Sequence, residues 1–330
     1  MKIVITDSEF PSQDIEREVA GEEGVDLVVA HGLSPSEVIA NAQGADGLAV
    51  QYAQITGQVL DALPSVTAVA RFGVGVDNID VAAATERGVV VCNVPDYSIQ
   101  AVSDHAMALA LAVGRGIVVL DRGMRAGLAL LREVQPLYQV AGRVFGVVGY
   151  GAIGKAVARK ASGLGYRVIV HDILVPAGTT TPEGYPSVGF QELLGTAQVV
   201  SVHVPLSPNT HHLFNADAFA LMRSDAILVN TSRGPIVDTD ALVNAVSGAR
   251  IFGAGIDVFE AEPLPAGHPI TTLDRVVLTP HVAYYTEESY EELKRRTMHN
   301  LINAVAGHDL HNVVNPEALT RRRVSSGAPD

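Results

Sequence analysis

The sequence predicts an α/β protein made of two doubly wound parallel-sheet domains, and three observations carry that expectation. Short apolar runs alternate with helix-forming segments along most of the chain, the pattern of a parallel sheet covered by helices on both faces. One such alternation, Val144 to Asp172, reads as strand, glycine turn, helix and strand. The length, 330 residues, is enough for two separate cores.

In chain order, Ile3 to Ile5, Val25 to Val29, Leu48 to Val50, Ala68 to Phe72 and Val89 to Cys92 read as strands. The helices between them carry start signals. Ser34 precedes Pro35 at a first helical position, with Glu37 closing a capping box, and Thr56 and Asp80 are further N-caps. Gly88 stops the helix that opens at Asp80. Cys92 is the single cysteine, so it has no internal disulfide partner and reads as a buried core thiol. The segment Arg71-Phe-Gly-Val-Gly-Val-Asp-Asn-Ile-Asp80 is a glycine-rich strand end whose spacing does not suit a dinucleotide turn. The N–H groups of Val74, Gly75 and Val76 could form a nest for a carboxylate there. A tight turn into the helix capped by Asp80 explains the same residues equally well.

Ser98 to Val119 predicts one long helix, too apolar to face solvent alone and placed to cross between domains. Its continuation through Leu128, Leu130, Leu131 and Leu137 predicts a dimerisation arm at about residues 120–140, the alternative being packing on its own subunit. Val144 to Val148 then has the short apolar run of a doubly buried strand, followed by Gly149, Gly151 and Gly154 in Gly-x-Gly-x-x-Gly spacing. The first glycine permits the turn, the second lets backbone approach a pyrophosphate, and the third lets helix pack on strand. The helix opening at Ala152 and Ile153 aims unpaired N–H groups at the phosphates. Asp172, 18 residues past Gly154 and at the end of the next strand, is placed to accept hydrogen bonds from an adenosine ribose. A 2′-phosphate would meet it as like charge, so NAD is expected over NADP.

Strands resume at Val199 to Val202, Ala226 to Asn230, Ile251 to Ile256 and Val276 to Leu278, alternating with helices near Phe190, Asn215 and Asp238. Thr286 to Ala306 reads as one long helix that could return the chain to the first domain. The expected organisation is a discontinuous domain of residues 1–98 and 286–318, an inserted domain of residues 99–285, and a disordered tail from 319 to 330. Arg321, Arg322 and Arg323 would be solvated in that tail. A formal charge of −13 argues against nucleic acid or anionic membrane as partner. The first residues lack the apolar run of a signal peptide, and no stretch approaches the ~20 apolar residues of a membrane span, so a cytoplasmic location is expected. No cluster has metal-ligand spacing, and no metal is predicted.

Reactive side chains sit at the ends of the later strands, in Asn230-Thr-Ser-Arg233-Gly-Pro-Ile-Val-Asp238, Asp257-Val-Phe-Glu-Ala-Glu262-Pro263 and Thr279-Pro-His281. Ligands collect beyond the carboxyl ends of such strands. Singly, Arg233 could be a surface ion pair, Glu262 a loop carboxylate and His281 a satisfied loop histidine. Together with Gly73 to Asp80 and Gly149 to Gly154, these segments resemble the D-isomer-specific 2-hydroxyacid dehydrogenase family over most of the chain, in order and spacing.

That resemblance implies a Rossmann NAD-binding domain inserted in a flavodoxin-like substrate domain, a homodimer, and interconversion of a D-2-hydroxy acid and its 2-oxo acid. It implies Arg233 as the substrate arginine, Glu262 as the acid partnering histidine, and His281 as the general acid/base. Glu260 competes with Glu262, which fits the family motif because it directly precedes Pro263. The cofactor would touch Ala152, Ile153, Asp172, Pro205, Thr210, Thr231, Ser232, Arg233, Asp257, His281 and Ala283, with His203 lining the same cleft or bonding backbone at a strand end. His211 and His212 would face solvent. The substrate would meet Tyr52, Val74 to Val76 and Tyr284. Gln51, Tyr52 and Ala53 differ from the residues common there, which leaves substrate choice open, and the arm around Gly127 lacks the family's usual tryptophan. The run Val91 to Ser98, with Ser103-Asp-His-Ala106 and Tyr284-Tyr285, is most similar to the branch containing the C-terminal-binding-protein corepressors. An NAD(H)-sensing interaction protein and a phosphite dehydrogenase are therefore the rival readings.

Overall fold

The computed structural model describes residues 1–323; residues 324–330 of the expected disordered tail lie outside them. The chain forms two compact units, one from Met1–Tyr97 with the segment beginning at Thr286, the other from Ser98–Tyr285. In the first, β1 (Lys2–Ile5), β2 (Asp26–Val29), β3 (Gly47–Val50), β4 (Ala68–Arg71) and β5 (Val90–Cys92) are parallel, in the order β2-β1-β3-β4-β5. This is the 2-1-3-4-5 order of flavodoxin-like sheets. β3 and β5 are buried throughout, as strands covered on both faces must be. Cys92 is buried within β5, and burial pushes its thiol up to about 12.

The flanking helices are α1 (Asp14–Glu22), α2 (Pro35–Asn41), α3 (Gly57–Ala62) and α4 (Val81–Glu86). The capping signals act as expected. Ser34 Oγ accepts from the Glu37 N–H while the Glu37 carboxylate accepts the Ser34 N–H, and Thr56 and Asp80 cap α3 and α4. The later helix α5 (Ile99–Gly114) belongs to the second unit, as do α6 (Ile117–Arg125), α7 (Leu131–Val134), α8 (Ala152–Gly163), α9 (Phe190–Thr196), α10 (Ala216–Leu221) and α11 (Thr239–Ser247). The long C-terminal helix α12 (Glu287–Ala306) packs on α1, β3, β4 and β5 of the first unit. It lies so close to β3 that a Cβ on Gly47 would fall 2.8 Å from Val305 Cγ2.

The second sheet contains β6 (Val144–Val148), β7 (Arg167–His171), β8 (Val199–Val202), β9 (Ile227–Asn230), β10 (Gly253–Ile256) and β11 (Val276–Leu278), all parallel, in the order β11-β10-β9-β8-β6-β7. Sequence reasoning missed one position beyond β7. Ser187 bridges Val170 in parallel, with Val170 N–H donating to Pro186 O and Val188 N–H to Val170 O, each at 2.9 Å. With that remnant strand the order becomes the 3-2-1-4-5-6 of dinucleotide-binding folds, extended by one strand.

Two expectations need correction. The single helix over Ser98–Val119 is two, because Gly116 adopts a left-handed conformation (φ 63°) and α6 leaves α5 at 63°. A side chain at Gly116 would strike Val134 of α7, so the close packing of α7 and the bend share one glycine. Residues 319–323 are not a disordered tail either. A 3-10 helix spans Pro316–Arg321, and the Arg323 N–H donates to Gly88 O at 2.9 Å. Arg323 Nη1 donates to the carbonyls of Leu60, Leu63 and Val66, and Arg322 Nη2 to those of Ala304 and Val305. These arginines satisfy the open carbonyl ends of α3 and α12 rather than seeking water.

The first unit also contains a fully buried ion pair that composition does not reveal. Lys294 Nζ of α12 lies 3.0 Å from Glu16 Oε2 of α1, bonds Ser12 O, and sits 5.2 and 4.9 Å from the ring centres of Phe10 and Tyr290. Burial raises the Glu16 carboxyl above the usual range, more than the Lys294 charge and hydrogen bonds lower it. Breaking one half leaves an uncompensated buried charge. Lys294→Met alone should therefore lose about 3–5 kcal/mol in urea unfolding, and adding Glu16→Leu should recover most of it; equal losses in the single and double variants would contradict this.

Candidate active site

β6 delivers the chain into the glycine turn. Gly149 has φ 94°, and a Cβ there would lie 2.6 to 2.7 Å from the His203 and Val204 backbone at the end of β8. Gly154 is pressed on the turn itself, since its Cβ would fall 2.0 Å from Gly149 O. Gly151 differs. It faces open space, and it caps α8 with no side-chain hydrogen bond, so the first amides of the helix are left for a ligand. Asp172 stands beside this turn, Oδ2 accepting the Tyr150 N–H at 2.6 Å and Oδ1 the Leu174 N–H at 2.8 Å. The Tyr150 hydroxyl donates to Glu183 Oε2 at 2.8 Å, tying the segment after β7 to the turn. Helix amides open to an anion and a fixed carboxylate one strand away fit a dinucleotide.

The end of β9 is shaped by Asn230, which sequence reasoning did not single out. Fully buried, it accepts the Ser232 N–H at 3.0 Å and donates to Arg233 O at 2.9 Å, folding Thr231–Arg233 around its own amide. Ser232 Oγ donates to Val204 O at 2.5 Å and Arg233 Nη1 to Ser232 O at 2.7 Å. Gly234 then touches the next loop directly, because a Cβ there would sit 1.9 Å from the carbonyl of Phe259.

That loop, after β10, carries Glu262, and the loop after β11 carries His281. Glu262 Oε2 lies 2.7 Å from His281 Nδ1, and Glu262 Oε1 accepts the Phe259 N–H at 2.9 Å. Burial alone would raise the Glu262 carboxyl. The hydrogen bond and charge of His281, the Phe259 N–H and the Arg233 charge outweigh it and hold the carboxyl below its usual range. The three residues singled out from sequence therefore converge in one unit.

His281 occupies the left-handed region (φ 53°), where residues other than glycine are uncommon. Asp257, fully buried at the end of β10, holds it there. The His281 N–H donates to Asp257 O at 2.7 Å, and the Asp257 carboxylate accepts the N–H groups of Val282 and Ala283 at 3.0 Å each. Thr279 Oγ1 donates to Asp257 Oδ1 at 2.6 Å and lies 2.9 Å from His105 Nε2 of α5. With the threonine proton committed to the aspartate, His105 must be the donor. Neither Thr279 nor His105 was singled out from sequence for this role.

His203 Nε2 bonds Ser201 Oγ at 2.8 Å, and desolvation pushes its imidazole down to about 3, so it is neutral. Thr210 Oγ1 donates to Pro205 O at 2.7 Å and accepts the Ser207 N–H at 2.8 Å, bracing the loop after β8, while Thr231 is buried. Tyr284 sits edge-on to His281, ring centres 6.4 Å apart. Tyr52, Val74, Gly75 and Val76 belong to the first unit. There the Tyr52 N–H is held by Asp7 Oδ2 at 2.6 Å, and the Gly73 and Val74 carbonyls accept from Val94 N–H and Asn93 Nδ2. His212, expected to face solvent, is half-buried with Nε2 2.7 Å from Glu260 Oε1. Glu260 and Glu262 thus serve different histidines.

Gly151 allows a test of the cofactor site. With φ −74° and no neighbour within 4 Å, Gly151→Ala should fold with an unchanged melting temperature, yet bind NADH at least about tenfold more weakly in a fluorescence titration. Undiminished affinity would contradict the assignment.

The family model described as D-isomer specific 2-hydroxyacid dehydrogenase, NAD binding domain, matches residues 107–283. A glyoxylate reductase from Korarchaeum cryptofilum is 40% identical over 271 residues, covering 81% of this chain and 82% of its own. Among solved structures, the TT0316 protein from Thermus thermophilus superposes with a TM-score of 0.86 at 37% identity, over 95% of this chain and 100% of that one. A D-lactate dehydrogenase from Aquifex aeolicus, complexed with NAD and lactic acid, gives 0.82 at 27% identity over 99% and 100%. The chain belongs to the D-isomer specific 2-hydroxyacid dehydrogenase family, and is an NAD-dependent oxidoreductase acting on CH–OH donors.

Proposed function

We propose that the chain interconverts a D-2-hydroxy acid and its 2-oxo acid, with His281 as acid/base, Glu262 as its partner and Arg233 as the substrate anchor. The 2.7 Å bond between Glu262 and His281 Nδ1 carries this reading, because it leaves Nε2 as the ring nitrogen free to serve a substrate oxygen. In the reductive direction His281 gives its Nε2 proton to the carbonyl oxygen and in the oxidative direction takes it from the hydroxyl. Glu262, held below the usual carboxyl range by its His281 bond, keeps its charge to lower pH than a free carboxyl and stabilises the imidazolium. Arg233 offers a planar fork to the substrate carboxylate that a lysine could not match. NAD supplies the hydride acceptor, and NADH the donor, at C2.

Ala152 and Ile153 would hold the pyrophosphate and Asp172 the ribose. His203, Pro205, Thr210, Thr231, Ser232, Asp257 and Ala283 would line the rest of the cofactor site. The amides of Val74, Gly75 and Val76 would bind the substrate carboxylate, with Tyr52 and Tyr284 meeting its side chain. A homodimer completes the reading. Ile117, Met124, Leu128 and Leu131, on and beside α6 and α7, each expose more than half of their surface, which is consistent with an arm that pairs with a second copy.

A panel of 2-oxo acids followed by NADH absorbance tests the proposal. At least one should be reduced. His281→Ala should lower kcat about 10²–10⁴-fold with NADH binding retained, and Arg233→Ala should raise KM for the 2-oxo acid. Absence of turnover across the panel, with NADH changing only the oligomer size, would favour an NAD-sensing interaction protein; oxidation of phosphite by NAD would favour phosphite dehydrogenase.

A further inference from the structure

The loop that presents Glu262 carries a second carboxylate two residues earlier, fixed at both oxygens. Glu260 Oε1 lies 2.7 Å from His212 Nε2, and Glu260 Oε2 accepts the Thr239 N–H at 2.9 Å, at the start of α11. His212 is itself constrained. Its backbone is left-handed (φ 50°), its N–H donates to Pro235 O at 2.8 Å, and its ring stacks on His211 with centres 4.1 Å apart. The pair thus joins three segments of the second unit: the loop after β8, the turn that follows Arg233, and the loop of Glu262.

Its location decides what it can do. Phe259 to Pro263 has no regular structure, and within its own loop Glu262 is tethered by the Phe259 N–H. Glu260 anchors that loop to α11 and His212 at the point where Gly234 touches Phe259. Both side chains of the pair remain about one third exposed, so it adds little to global stability. A partly exposed pair that contributes little to folding can still fix a loop, and this loop sets the distance from Glu262 to His281.

We propose that His212 and Glu260 are a positioning pair that holds Glu262 within reach of His281. The inference rests on the acid/base reading of His281. Glu262 lies against that imidazole and Tyr284 stands edge-on to it, while the Arg233 charge acts on Glu262; of these, Glu262 is the one the pair governs.

The test uses the full chain, with Glu260→Ala and Glu260→Gln compared with wild type and Glu262→Gln. The readouts are the NMR titration of the His281 imidazole, which needs no turnover, and the pH dependence of kcat/KM for 2-oxo acid reduction. Glu260→Ala should move the imidazole titration and the alkaline limb of the rate profile to lower pH, in the same sense as Glu262→Gln but less far. It should lower kcat about three- to tenfold while NADH affinity stays within about twofold. Glu260→Gln, which keeps the shape and an acceptor, should restore most of the loss. If Glu260→Ala fails to fold, His212→Ala, which leaves the Thr239 bond in place, should give the same shift. Should Glu262→Gln move both readouts while Glu260→Ala and His212→Ala leave them at wild-type positions, the positioning pair is refuted and the acid/base reading survives. If Glu262→Gln moves neither, both fall.

Discussion

The site depends on one buried carboxylate. Asp257 ends β10 with no access to solvent, and a charge placed there must be matched by donors. It finds them in the neighbouring loop: the hydroxyl of Thr279 and the amides of Val282 and Ala283, while its own carbonyl takes the amide of His281. Holding a histidine in the left-handed region costs about 1–3 kcal/mol, and these bonds offset it. The strand register makes them possible, since β10 and β11 pair Ile256 with Leu278 and so bring Asp257 beside Thr279. A slip of one residue in that pairing would move both partners apart and release the imidazole.

Close backbone approach does the rest. At Gly149, Gly154 and Gly234 a side chain would overlap a neighbouring main chain, so each marks a place where two loops or a loop and a helix meet without intervening atoms. The first two bring the end of β8 and α8 onto the cofactor turn. The third sets Arg233 against the loop of Glu262. A parallel sheet supplies rigid strand ends pointing one way, and the glycines let their loops crowd together there.

Much of this was legible in the sequence because it depends on local pattern. Continuous apolar runs marked the buried strands to within a residue or two, and the caps at Ser34, Thr56 and Asp80 follow from side chains that bond amides three residues on. The glycine spacing and the strand-end Arg, Glu and His pointed to a site because their chemistry is rare in combination. What escaped depends on partners distant in the chain. Arg322 and Arg323 looked like a solvated charge run until the carbonyl ends of α12 and α3 lay beside them. His212 looked like a surface histidine, and Glu260 like a competitor for Glu262, because nothing local brings together two residues 48 positions apart. The break at Gly116 was hidden by apolar residues continuing on both sides, and a glycine inside a helical pattern costs only about 1 kcal/mol. The strand at Ser187 is one bridge long, too short for any apolar run to announce.

A crystal structure of the full chain with NADH and oxamate, an unreactive 2-oxo acid analogue, would test the central claim most directly. We expect the oxamate carboxylate on the Arg233 guanidinium, its carbonyl oxygen about 3 Å from His281 Nε2, and Nδ1 still on Glu262. An imidazole turned away from the analogue, or an Asp257 carboxylate detached from the Val282 and Ala283 amides, would contradict it.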